Sequence, residues 1–81
     1  MIVEITVPSL GEAFDFCVDE KRTVKEALSD IVLILEEKTK SEESRPARDY
    51  LFCRAEGKEI IYPDRTFAAN GIREGSSLLL V

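Results

Sequence analysis

A single stretch of helical periodicity, from Thr23 to Lys38, sits inside a chain that elsewhere alternates with the period of a strand. Val24, Ala27, Leu28, Ile31, Val32 and Leu35 recur at helical spacing and form one apolar stripe. Thr23-Val-Lys-Glu26 in front of it matches a capping box: the threonine hydroxyl accepts from the amide three residues on, and the glutamate reaches back. Lys38 and Lys40 fall near the helix end, where positive charge complements the dipole. One lone helix must bury its stripe against a sheet made from the rest of the chain, which sets an α+β two-layer architecture. Leu33 and Ile34 widen the stripe, and this predicts cover on more than one side of the helix.

The strands follow from alternation. Met1, Val3, Ile5 and Val7 alternate with Ile2, Glu4 and Thr6, so residues 1–7 read as a strand. Pro8-Ser-Leu-Gly11 is turn chemistry. Residues 13–18 resume the alternation, with Phe14, Phe16 and Val18 on one side and Asp15 and Cys17 on the other; the two strands make a hairpin. After the helix, Ser41 to Arg48 is a polar linker in which Pro46 stops helical structure. Residues 49–54 read as a third strand. Arg54 is expected in solvent, which by parity turns Phe52 and Tyr50 outward and Leu51 and Cys53 toward the core. Ala55 to Lys58 is a turn, residues 59–62 a short strand, and residues 66–70 a helical turn ended by Gly71. Residues 73–76 turn again before the last strand, 77–81. The sheet then has four to five strands. The first and last can lie side by side in parallel, because a helical crossover separates them.

At 81 residues the chain is one domain, 1–81. A chain of this size buries only about 60–65% of the surface its unfolded form exposes, so the core takes most of its apolar residues. With 44% hydrophobic and 33% charged residues, it falls in the globular class. The net charge of −5, with no basic stripe, argues against nucleic acid and anionic membrane as partners. The longest apolar run, Ile31 to Leu35, is far below the roughly 18 residues of a membrane span. Met1-Ile-Val-Glu4 has no signal-peptide character, so a cytoplasmic protein with reduced Cys17 and Cys53 is expected.

The closing segment Asp64-Arg-Thr-Phe-Ala-Ala-Asn-Gly-Ile-Arg-Glu-Gly-Ser-Ser-Leu-Leu-Leu-Val81 resembles that of ubiquitin-like β-grasp domains. There a turn leads to an isoleucine that plugs the core, then to a polar turn and an alternating strand. The Gly57-Lys58 turn and the Thr23 cap before Val24 match as well, and the resemblance spans the whole chain. Within the family the chain is similar to the bacterial YukD/EsaB group, small ubiquitin-like proteins of the type VII (ESX) secretion system. The shared features are Ile2-Val-Glu-Ile-Thr-Val7, Thr23-Val24, Ala69-Asn-Gly-Ile-Arg-Glu-Gly75 and the end at Val81. The resemblance implies a ubiquitin-like fold and an accessory or regulatory role in secretion.

Catalysis finds little support. Ubiquitin and the sulfur carriers act through a free tail ending Gly-Gly, whereas this sequence ends Leu78-Leu-Leu-Val81, expected to lie inside the last strand. Conjugation and sulfur transfer are therefore not expected of it. A modifier whose tail has been removed, or the cytosolic domain of a larger ESX membrane protein, are the alternatives. With no histidine, no Ser-His or Cys-His pair can form. Two cysteines are too few for an iron–sulfur cluster or a cysteine-rich zinc site. In the family's strand order they also lie three strand spacings apart, about 14 Å, beyond disulfide reach. Cys53 is expected as a small core residue and Cys17 as a passive outer one. The carboxylate runs Asp19-Glu20, Glu36-Glu37 and Glu42-Glu43 read as solvated faces, and Gly71 and Gly75 as turn and cap residues. No cofactor and no metal are expected.

Surface is what remains. Alternation puts Ile2, Phe52, Leu79 and Val81 on the outer sheet face, with Leu10 at the tip of the first hairpin. The resemblance implies a partner-binding apolar patch there, with Leu10, Leu79 and Val81 at matching positions. The expected partners are proteins, secretion-system components or a second copy of the chain, bound at Ile2, Leu10, Phe52, Leu79 and Val81.

Overall fold

The computed structural model describes residues 1–39, 46 and 49–81. Its elements run β1 (Ile2–Val7), β2 (Glu12–Cys17), α1 (Val24–Thr39), β3 (Phe52–Arg54) and β4 (Ser77–Leu80). The four strands form one sheet in the order β2-β1-β4-β3. β1 pairs antiparallel with β2 and parallel with β4, and β3 pairs antiparallel with β4. This is the ubiquitin-like β-grasp, a mixed sheet packed on one long helix. The expected strand at residues 59–62 reduces to a single bridge, Cys53 to Ile60, since Pro63 cannot donate to a ladder. The linker from Ser41 to Arg48 lies outside the described residues apart from Pro46.

The helix begins where the sequence places its cap. The Glu26 amide donates to Thr23 Oγ1 at 3.3 Å, and the Thr23 amide and hydroxyl donate to Glu26 Oε1 at 3.4 and 3.0 Å. The Val24 and Lys25 amides donate to the carbonyls of Arg65 and Pro63, each at 2.8 Å. The first-turn donors that no helix can satisfy by itself are thus taken up by the closing segment. These bonds and the Thr23–Thr66 bridge tie the start of the helix to the last third of the chain.

The core lies between α1 and the inner sheet face. Val3, Ile5, Leu78, Leu80 and Phe52 from the sheet meet Val24, Leu28, Ile31, Val32 and Leu35 from the helix, with Ile61, Phe67 and Ile72 sealing one end. Phe67 and Phe52 set their rings 6.2 Å apart at 59°. Asn70 fastens the loop between them. Its side chain donates to the carbonyls of Tyr62 (3.0 Å) and Thr66 (2.9 Å) and accepts from the Tyr62 amide (2.7 Å). Leu33 and Ile34 depart from the sequence expectation: they are 64% and 47% exposed, so the helix buries its stripe on the sheet side alone.

Candidate functional site

Strand pairing assigns each outer-face residue. Residues opposite one another in neighbouring strands share a face, and the face alternates along each strand. Ile5 pairs with Phe14 and with Leu78, and this row points to the helix. Thr6 pairs with Ala13 and with Leu79, Leu79 with Cys53, and Cys53 with Ile60. One outward row therefore runs Ala13–Thr6–Leu79–Cys53–Ile60 across the full width of the sheet. Leu51 and Val81 exchange two backbone bonds of 2.9 Å and extend the outward face by one more pair.

The five residues expected at a binding face separate into three places. Leu79 is half-buried on the outer face, and Val81 is exposed beside it. Leu10 is exposed in the turn after β1. Because β1 and β4 run parallel while β3 runs against them, Leu10, Val81 and Leu51 gather at one end of the sheet. Ile2 is exposed and outward but opens β1, paired with Cys17 at the opposite end. It sits four residues from Thr6, about 13 Å along the strand, with Glu4 in between.

Phe52 is misplaced by the sequence reading. It is 2% exposed, pairs with Leu80 and packs in the core. The error came from Arg54. This arginine does lie on the helix-side face, but at the sheet edge, where its guanidinium reaches past the core and donates to the Asn70 carbonyl. A long side chain at a strand end can reach its partner from either face, so its charge carries no parity information. Tyr50 likewise packs partly buried against the core. Leu51, expected inside, is exposed, and Cys53 is outward-facing yet only 8% exposed, between Leu79 and Ile60. Ile60, 60% exposed, was missed altogether. The signal for it was the doubled Ile60-Ile61, in which a single edge strand can bury only one of the two.

The resulting surface is lopsided. The half built on β3 and β4 presents Leu51, Ile60, Leu79 and Val81. The half built on β1 and β2 presents Ile2 and Cys17 at one end, Thr6 and Ala13 at the other and Glu4 opposite Asp15 between them, with Ser77 Oγ 3.4 Å from Glu4 Oε1. Cys17 and Cys53 are both free thiols, on strands at opposite edges of the sheet. Among the described residues no cluster of side chains is arranged to hold a metal ion, and no helix is long and apolar enough to cross a membrane.

The family is settled by the match of residues 2–80 to the model of the WXG100 protein secretion system (Wss) protein YukD. The chain belongs to the YukD family. No individually curated protein matches it. Among solved structures, it is similar to the N-terminal ubiquitin-like domain in the 4931431F19Rik protein. The TM-score is 0.77 and the identity 17%, over 100% of this chain and 72% of that one. It is also similar to a computationally designed protein based on the template of human erythrocytic ubiquitin. There the TM-score is 0.74 and the identity 25%, over 99% of this chain and 87% of the designed one. Both likenesses bear on the fold. In this chain the helix takes one face of the sheet and leaves the other outward.

Proposed function

We propose that this YukD-family chain is a cytoplasmic, non-catalytic accessory component of the WXG100 (type VII) secretion system, acting by binding another protein on its outer sheet face. The observation that carries the reading is the apolar outward row Leu79–Cys53–Ile60 with Leu51 and Val81 beside it. A small chain needs its apolar residues for its core, so several placed together on an uncovered face represent surface kept for a partner. Aliphatic side chains at the centre of such a face, bordered by polar residues, are what an interface core requires.

Ile60→Asp tests this. Ile60 is the most exposed member of the patch and makes only one bridge to the sheet, so the variant keeps its fold. Tagged wild-type protein recovered from its native cell brings down components of the secretion machinery, identified by mass spectrometry, and Ile60→Asp does not. Equal recovery of the same components by both proteins refutes the surface. Recovery of the chain in covalent linkage to other proteins refutes the binding-module reading in favour of a modifier.

A further inference from the structure

β2 is an outer strand of the sheet, with β1 on one side only. Its hydrogen-bonding phase can be read from its neighbours. The Glu4 amide donates to the Ser76 carbonyl on the β4 side, and the Ile2 carbonyl accepts from the Gly75 amide. Val3 and Ile5 therefore direct their backbone groups to β2, where they meet Phe16 and Phe14. Ala13, Asp15 and Cys17 consequently turn their amides and carbonyls to the open edge, and among the described residues nothing bonds to them.

The two sides of this edge differ in chemistry. On the helix side, Phe14 and Phe16 are half-buried with rings 6.2 Å apart, and Lys38 Nζ lies 5.0 Å from the Phe14 centroid. The exposed Ile34 is one turn before Lys38, on the same stripe of α1. On the outer side, Asp15 is exposed opposite Glu4, with no cation in either strand. A strand added here would place alternate residues beside Phe14 and Phe16, and the residues between them beside Asp15.

A second copy does not fit. The alignment that uses all three edge residues sets Asp15 against its counterpart, with Cα atoms about 5.5 Å apart. That would put four carboxylates in one row, Glu4 and Asp15 from each copy, and like charges directly opposite are destabilising. We propose that the open edge of β2 receives an extended segment of a partner protein in which apolar and basic residues alternate, the apolar ones seated on Phe14 and Phe16 and a lysine or arginine paired with Asp15. This surface is distinct from the apolar half of the outer face.

The test uses a short capped peptide alternating valine with lysine, against one alternating valine with glutamate. Amide exchange is followed by NMR on the whole chain. The valine–lysine peptide slows exchange at Ala13, Asp15 and Cys17, and the valine–glutamate peptide does not. Asp15→Lys weakens binding of the valine–lysine peptide about threefold or more, as a cross-strand attraction becomes a repulsion. Glu56→Lys, an equal change of charge in a distant exposed turn, and Ile60→Asp on the other surface both leave it unchanged. The proposal is overturned by unslowed exchange at the three amides, by equal binding of the two peptides, or by undiminished binding to Asp15→Lys. Protection of the same amides in the free protein on raising its concentration also overturns it, since the occupant is then a second copy.

Discussion

Phe52→Ala and Leu51→Ala remove neighbouring side chains from one short strand, and the fold assigns them opposite consequences. Phe52 is 2% exposed, pairs with Leu80 and holds its ring 6.2 Å from that of Phe67. Phe67 is itself fully buried, so no side chain from solvent can fill the hole. Truncating a buried phenylalanine costs about 3–5 kcal/mol, transfer and cavity together. A domain of this length holds in all only about 4–12 kcal/mol. Each kcal/mol moves the melting temperature of so small a domain by about 4–8 °C, so Phe52→Ala lowers Tm by about 12 °C or more. Leu51 is 41% exposed, and its removal costs about 1 kcal/mol or less. Thermal and urea denaturation followed by circular dichroism measure both. Near-equal losses, or a larger one for Leu51→Ala, would show that the strand faces have been exchanged.

Gly71 has a φ of 75°, and a Cβ placed there would come 2.8 Å from Arg54 Nη2, whereas Gly11 at φ 66° has nothing near. Gly71→Ala is therefore expected to destabilise by about 1–3 kcal/mol and Gly11→Ala by less, as read from urea midpoints; the reverse order would contradict the Arg54 placement. Thr23→Ala removes the helix cap at a cost of about 1 kcal/mol. The Glu26 carboxyl is held below its ordinary range, first by the Thr23 hydroxyl and then by the Thr23 amide. A lowered folded-state pKa stabilises above the unfolded carboxylate pKa and is lost as pH falls through the folded value. The gap in stability between wild type and Thr23→Ala is thus expected to narrow in acid, and a gap that widens there would refute the capping role of Glu26.

The parts of this fold that were legible in the sequence are those fixed by local chemistry. The Thr23–Glu26 cap, the helical stripe and the alternation of residues 1–7 each carry their own signature, and the structure has all three. The parallel pairing of β1 with β4 followed from the helical crossover between them. What failed depended on contacts distant in sequence. Parity on β3 could not be read from Arg54, because the carbonyl it finds belongs to Asn70. Leu33 and Ile34 have the hydropathy of core residues, and nothing local shows that the sheet covers only one side of the helix. At the candidate site the outward placement of Ile2, Leu79 and Val81 and the place of Leu10 in the first turn were legible. Leu51 and Ile60 were not, since their outward direction rests on pairing with Val81 and Cys53. Asn70 gave no signal either, although its three bonds close the loop that seals the core.

The central claim is that the apolar outer face serves secretion. Its most direct test is export of WXG100 proteins by cells whose only copy of this chain carries Ile60→Asp, with Glu56→Lys as a comparison at another exposed position and Tm confirming that both variants fold. Export lost with Ile60→Asp and kept with Glu56→Lys is the predicted result. Normal export from a stably produced Ile60→Asp protein would contradict the account.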